Sequence, residues 1–169
     1  AEGHARCTLG LDLSSTGRCE DARRAHETAR DIAREVGNAD DLGRAYVNLS
    51  ETLFFCGSAE EAIACVEEGT RVAEQYGMTS SYGAFLRHTG TVYTFELGRW
   101  DEALRYARES FEVTQAGPHM YRHGLSRWVP LSVASGDFEL AASQLDRLAE
   151  VLAGGPVEGQ FSGNYHIAR

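Results

Sequence analysis

The stretch GSAEEAIACV, residues 57–66, decides the fold, because its pattern returns along the whole chain. A glycine opens the stretch, a small residue follows five positions later at Ala62, and an apolar residue follows at Val66. The same glycine and alanine pair occurs at Gly17 and Ala22, Gly57 and Ala62, Gly98 and Ala103, and Gly136 and Ala141. Successive glycines are 40, 41 and 38 residues apart, a period typical of stacked helical hairpins. The sequence therefore predicts a repeat array and not a single globular core.

Composition indicates an ordered protein without a membrane span. Hydrophobic residues make up 43% and charged residues 24% of the 169 residues. No apolar run approaches the ~18 residues of a membrane span, and no signal segment opens the chain. We therefore expect a cytoplasmic protein with no membrane partner. The formal charge of -9 argues against direct nucleic-acid binding, which needs clustered cations. All 16 basic residues are arginine.

The four cysteines show no C-x-x-C pair, which would be the signature of a zinc or redox site. With no secretion signal, we expect Cys7, Cys19, Cys56 and Cys65 to be reduced thiols packed as small apolar groups, with disulfides or zinc as the alternatives. A bond between Cys56 and Cys65 is disfavoured by their separation along the hairpin.

Apolar positions with helical spacing predict four antiparallel hairpins. Their helices are expected near residues 2–15 and 19–36, 40–56 and 58–77, 80–97 and 101–115, and 119–135 and 137–152, and residues 158–169 are expected to open a fifth hairpin. Ser58 and Glu61 have the spacing of a capping box. Gly90 inside a helix indicates a close approach by a neighbouring helix. Pro130 is expected to kink its helix or break one hydrogen bond.

These positions resemble the tetratricopeptide repeat (TPR). Its first helix carries an aromatic residue, a Leu-Gly pair and a second aromatic residue, and a turn glycine and small residues in the second helix follow. The matching residues are Leu9-Gly10, Leu13, Gly17, Ala22 and Ala29 in hairpin one, and Tyr46, Leu49-Ser50, Leu53, Gly57 and Ala62 in hairpin two. Hairpin three matches at Gly90, Tyr93, Gly98 and Ala103 if one extra residue is allowed before the turn. The resemblance implies an all-α, right-handed α-solenoid over residues 1–169.

The long Ala- and Arg-rich repeats, with GRWDEAL at residues 98–104, are also similar to the helical regions of large LuxR-type, MalT-like bacterial activators. That resemblance implies an interaction or effector-sensing domain cut from a larger transcription regulator. No G-x-x-x-x-G-K-[ST] phosphate loop is present in the sequence. The alternatives are a peptide-binding regulator of the quorum-sensing type and a stand-alone scaffold.

The sequence contains no motif that predicts catalysis, a metal or a cofactor. H-E-x-x-H, G-x-S-x-G and a glycine-rich strand-to-helix turn are all missing. His119 and His123 are four residues apart, but two ligands do not make a metal site. We therefore expect a non-enzyme, with a small helical enzyme as the minor alternative.

The TPR resemblance places a concave binding groove on the first helix of each hairpin. The candidate groove residues are Arg44, Asn48, Glu51, Arg87, His88, Thr91, His123 and Arg127. Such a polar surface suits a carboxylate or an extended peptide held by charge-assisted hydrogen bonds. The alternative is a solvated face that contacts only a neighbouring domain. Exposed apolar surface at the ends of a cut solenoid also predicts self-association end to end.

Overall fold

A computed structural model describes residues 2–113 and 118–153, and for residues 118–123 it describes the backbone only. The described ranges form eight α-helices and one short π-helical turn, with no strand among them. The α-helices are α1 (Glu2–Ser15), α2 (Cys19–Glu35), α3 (Ala39–Phe55), α4 (Ala59–Gln75), α5 (Ala84–Glu96), α6 (Trp100–Val113), α7 (Pro118–Ala134) and α8 (Phe138–Ala153), and the π-helical turn covers Thr79–Gly83. The four predicted hairpins are therefore confirmed. The predicted fifth hairpin lies outside the described residues.

Each hairpin turns at a glycine because the backbone there adopts a left-handed conformation that favours glycine. Gly57 has a φ of 86° between α3 and α4. The amide of Ser58 then donates a hydrogen bond of 2.8 Å to the carbonyl of Leu53, which closes the end of α3. The side chain of Ser58 makes no capping hydrogen bond, so the predicted capping box is wrong. At the start of α3, in contrast, the side chain of Asn38 caps the helix by accepting a hydrogen bond of 3.1 Å from the amide of Asp41.

Small residues after each turn allow the two helices of a hairpin to approach closely. Ala22, Ala62 and Ala103 are fully buried, and Ala141 is 3% exposed. The largest apolar cluster joins the middle hairpins and includes Leu42, Leu49 and Leu86. Gly90 confirms the predicted close approach, because a Cβ at that position would lie 3.1 Å from the ring of Tyr106. The repeat pattern therefore encodes the spacing between helices.

Side-chain hydrogen bonds join α3 to α2 and to α4. The hydroxyl of Tyr46 on α3 donates to Glu68 on α4 at 2.6 Å. Arg34 on α2 donates to the same hydroxyl at 2.5 Å. Because these three residues come from three successive helices, the network fixes α3 against both of its neighbours.

The third hairpin has one residue more than the second, and the π-helical turn accommodates it. Gly37 and Gly57 are 20 residues apart, whereas Gly77 and Gly98 are 21 apart. A single inserted residue in a helix is commonly absorbed as one π-helical turn. Tyr82, in this turn, lies against Gly43 of α3 and donates a hydrogen bond of 2.9 Å to Asp40. The extra residue therefore lies at the beginning of the helix and not before the turn at Gly98.

The prediction of four reduced cysteines is wrong for two of them. Cys19 and Cys56 form a disulfide, with their Cα atoms 5.8 Å apart. Cys19 follows the turn glycine of hairpin one by two residues, and Cys56 precedes that of hairpin two by one. The stacking of the hairpins brings these turns together, which spacing along the chain alone does not reveal. Cys7 and Cys65 are free and buried, as predicted.

Two further expectations concern the helices themselves. Helix α7 contains Pro130 and continues through it to Ala134. Since proline has no N–H, one backbone hydrogen bond is missing inside that helix.

Among the described residues, no helix is both long enough and apolar enough to cross a membrane.

Candidate binding groove

Two adjoining concavities lie on the first helices of the hairpins. The first has a volume of about 490 Å³ and lies between α3 and α5, with one residue from α7. Its lining is aromatic and apolar with three charged groups: Val47, Glu51, Phe54, Phe55, Phe85, Thr89, Val92, Tyr93, Glu96 and Arg127. We call it the α3/α5 concavity. Its volume is within the range of sites that bind small ligands or side chains.

The second concavity has a volume of about 440 Å³ and lies between α5 and α7. Its lining is mainly apolar: Thr91, Val92, Phe95, Glu96, Ser126, Arg127, Val129, Pro130, Val133 and Ala134. We call it the α5/α7 concavity. Val92, Glu96 and Arg127 line both concavities, so these residues form the ridge between them. The two concavities therefore form one groove across α3, α5 and α7.

The lining residues recur at fixed distances from the turn glycines. Glu51, Val92 and Pro130 each precede the turn glycine of their hairpin by six residues. Phe55, Glu96 and Ala134 each precede it by two residues. Because three equivalent helices present the same positions, the groove is a property of the repeat and not of one local loop.

Some of the predicted groove residues on α3 and α7 line a concavity and others do not. Glu51 and Arg127 line the α3/α5 concavity, and both are exposed. Arg44 and Asn48 are half-buried and line neither concavity. Arg44 instead pairs with Asp40 at 2.9 Å on its own helix. His123 lies in α7, and its side chain is outside the described residues.

The three predicted residues on α5 are buried. For His88 and Thr91 the reason is that the extra residue of this repeat lies earlier than expected, which shifts both by one position. Arg87 points toward α4 and α6, where it pairs with Glu74 at 2.5 Å and lies 3.7 Å from Glu109. His88 is 1% exposed and packs against Gly124 of α7. Thr91 lines the α5/α7 concavity but is 2% exposed, and its hydroxyl donates to the carbonyl of Arg87.

The residues that the sequence analysis missed follow from the correct register. Counted back from Gly98, Phe85, Thr89 and Val92 occupy the positions that Arg44, Asn48 and Glu51 occupy before Gly57. The missed lining is mostly aromatic or apolar, whereas the predicted groove was polar. Their spacing of four and three residues on α5 is the signal that indicates one continuous face.

Stacked aromatic rings form part of the floor of the α3/α5 concavity. Phe54 of α3 and Tyr93 of α5 are nearly parallel, with ring centroids 4.0 Å apart and an interplanar angle of 7°. Burial raises the pKa of Tyr93 further above physiological pH. The two helices are thereby joined by an apolar surface that a ligand can contact.

The charged groups of the groove have no ion-pair partner within 4.0 Å in the described part of the chain. None of Glu51, Glu96 and Arg127 forms an ion pair with another described residue. The groove walls partly desolvate Glu51 and raise the pKa of its carboxyl, and the nearby positive charge of Arg127 opposes this effect. Two carboxylates and one guanidinium are therefore available to a ligand.

The lining of the groove suits a polypeptide ligand. Residues 2–113 and 118–153 contain no group of three or more His, Cys, Asp or Glu side chains that could hold a metal ion. The groove itself provides aromatic surface, carboxylates and one arginine. Such a surface suits an extended polypeptide that places its side chains in successive concavities.

Two family models match the chain, and both are described as tetratricopeptide repeat. They match residues 3–75 and residues 88–116. Together these ranges cover more than half of the 169 residues. No curated protein sequence matches the chain significantly.

Solved structures show the same fold at low sequence identity. BtubC (BKLC) from P. vanneervenii is 18% identical with a TM-score of 0.75, and the alignment covers 92% of this chain and 66% of that one. A Podosopora anserina protein with nearly identical TPR-like repeats is 12% identical with a TM-score of 0.71, covering 98% and 84%. TTC0263, a TPR protein of Thermus thermophilus, is 16% identical with a TM-score of 0.56, covering 98% of both chains. The predicted TPR solenoid is confirmed.

Proposed function

We propose that this chain, which belongs to the tetratricopeptide-repeat family, binds an extended segment of another protein in the groove across α3, α5 and α7 and catalyses no reaction on it. The observation that carries the proposal is the pair of adjoining concavities. Folding leaves aromatic and apolar surface open there, on helices that present equivalent positions. An extended segment can fill both concavities at once, which a compact small molecule cannot.

The rigidity of the groove supports the same proposal. Tyr46 fixes α3 through Glu68 and Arg34, and Arg87 fixes α5 through Glu74. These bonds lie behind the groove, so the helices that line it are held before a ligand arrives. A preformed site loses less conformational entropy on binding, which favours the affinity of a short segment.

The test is a selection of random dodecapeptides displayed on phage against the whole chain, followed by binding assays with two variants. Val92→Trp places a large side chain on the ridge shared by both concavities. Val36→Trp makes the same change at an exposed position at the end of α2, outside the groove. We expect selected peptides to bind wild type and Val36→Trp equally and to lose at least about tenfold in affinity for Val92→Trp. Enrichment of no peptide, or of peptides indifferent to Val92→Trp, would overturn the proposal.

We further propose that the domain senses an effector or partner for a larger LuxR-type bacterial transcription regulator. The lysine-free, arginine-rich repeats and the stretch at residues 98–104 support this proposal. The open reading frame around these residues tests it, since such a regulator also encodes a nucleotide-binding module and a DNA-binding helix-turn-helix. A frame with neither module would leave the peptide-binding regulator or the stand-alone scaffold as the function.

The cellular location follows from the proposed role in a regulator. A regulator of this type would work in the cytoplasm. Cellular thiols reduce most disulfides there, so the bond between Cys19 and Cys56 would be open for part of the time.

We also propose that the isolated chain associates end to end. Sedimentation at increasing concentration tests this, and a strictly monomeric profile would contradict it.

A further inference from the structure

We infer that the groove selects a segment in which an arginine and a large apolar side chain are about three residues apart, with the arginine in the α3/α5 concavity and the apolar side chain in the α5/α7 concavity. This inference rests on the proposed function and specifies its ligand. The charges, the aromatic floor and the spacing of the groove all favour such a segment.

The charges favour a cation in the α3/α5 concavity. Glu51 and Glu96 both line it and have no ion-pair partner among the described residues, whereas most arginines outside the groove are paired with a carboxylate. Arg127 provides only one opposing positive charge. The chain as a whole is also negative, with a formal charge of -9. A positively charged side chain would therefore gain charge-assisted hydrogen bonds that no residue of the described chain now makes.

The aromatic lining favours arginine over lysine. Phe54, Phe85 and Tyr93 line the concavity that holds the two carboxylates. A guanidinium is planar and weakly hydrated, so it can stack on an aromatic ring while its edge bonds to a carboxylate. An ammonium group keeps its hydration more strongly and gains less from the rings. The same combination disfavours an acidic side chain at this place.

The second concavity requires an apolar group. Val129, Pro130 and Val133 line it, together with Phe95. The charged residues in the described part of its lining are Glu96 and Arg127, which belong to the ridge. Helices that pack side by side are ~8–10 Å apart. A polyproline II segment rises ~3.1 Å per residue, and side chains three residues apart lie on the same side. The distance between adjacent concavities therefore corresponds to about three residues of such a segment.

The probe that tests this inference is a fluorescein-labelled dodecapeptide, GSGSRPPLSGSG, measured by fluorescence anisotropy against the whole chain. Two matched peptides replace its arginine with citrulline, which is neutral and similar in shape, or with glutamate. We expect citrulline to weaken binding by about tenfold or more and glutamate to weaken it further. The difference between the arginine and citrulline peptides should shrink as salt rises from about 50 to about 500 mM, because salt screens the charges.

Protein variants assign the effect to the two carboxylates. Glu51→Gln and Glu96→Gln should each weaken binding of the arginine peptide and leave the citrulline peptide unchanged. Glu112→Gln is the control, since it removes an exposed carboxylate at the end of α6, outside the groove. Glu51→Arg should reverse the preference and bind the glutamate peptide more tightly than the arginine peptide.

The outcomes separate this inference from the proposed function. If selected peptides lose affinity for Val92→Trp but contain no enriched arginine, and GSGSRPPLSGSG binds no better than its citrulline form, the inference is overturned and the proposed function stands. If no peptide depends on Val92, both fall together. Arginine enrichment with sensitivity to Glu51→Gln and Glu96→Gln supports both.

Discussion

The ring of His26 on α2 lies directly over Gly10 of α1 and occupies the space that a side chain at residue 10 would need. His26 is fully buried, and neither of its ring nitrogens has a hydrogen-bond partner among the residues that the structure describes. In the second and third hairpins the equivalent position is apolar. Val66 and Ala107 follow their turn glycines at the same distance as His26 follows Gly17. A titratable group therefore fills a packing position in the first hairpin.

We predict that the free energy of unfolding falls between about pH 6.5 and about pH 4 because of His26. Burial lowers the pKa of His26 from 6.5 to about 4. In this range the unfolded chain binds a proton that the folded chain does not, so stability is complete above pH 6.5 and decreases as pH falls. The loss is at most about 3 kcal/mol, from 1.36 kcal/mol per pKa unit. Urea unfolding at a series of pH values measures it.

The variant His26→Leu is the control for this pH dependence. It places an apolar side chain of similar size in the same space and removes the titration. The stability difference between His26→Leu and wild type should therefore grow as the pH is lowered through this window. A difference that stays constant from pH 7.5 to pH 4 would show that His26 does not titrate in this way.

Gly10→Ala should destabilise the chain by about 2 kcal/mol or more, because the added methyl group would overlap the ring of His26. The cost should be smaller when His26 is also replaced by alanine, since the ring is then gone. A double-mutant cycle of the two changes measures this coupling. Equal costs in both backgrounds would mean that the ring does not exclude a side chain at residue 10.

Cys56→Ser should lower the free energy of unfolding by about 2–4 kcal/mol under oxidising conditions, because the disulfide restricts the unfolded chain. The bond closes a sequence separation of 37 residues. Under reducing conditions the variant and wild type should differ little. Alkylation of the denatured, unreduced protein should label Cys7 and Cys65 only, and labelling of all four cysteines would contradict the disulfide.

A second disulfide should form between the next two turns if Ala59 and Leu97 are both replaced by cysteine. Ala59 follows Gly57 by two residues and Leu97 precedes Gly98 by one, which are the offsets of Cys19 and Cys56. An ion pair between Arg99 and Glu60 crosses the same pair of turns. The loss of two further free thiols in a labelling assay would show the bond. Two persistently reactive thiols would indicate that the third hairpin is displaced relative to the second.

The sequence predicted the hairpins well because the positions that define them are local. Glycines at the turns and alanines five residues later specify where helices end and how closely they pack. The groove was predicted less well because its register depends on where one extra residue is placed. Sequence alone does not distinguish an insertion before Gly98 from one at Thr79–Gly83. A shift of one position therefore placed His88, which is buried, among the candidate groove residues.

The bond between Cys19 and Cys56 also limits how far the chain can be drawn out by force. Residues between the two cysteines cannot extend while the bond is intact, and a stretched chain gains at most ~3.3–3.6 Å per residue. A separation of 37 residues therefore conceals a contour length of roughly 120 Å. Pulled from its two ends in an optical trap, the oxidised protein should be shorter by about this length, after complete unfolding, than the reduced protein.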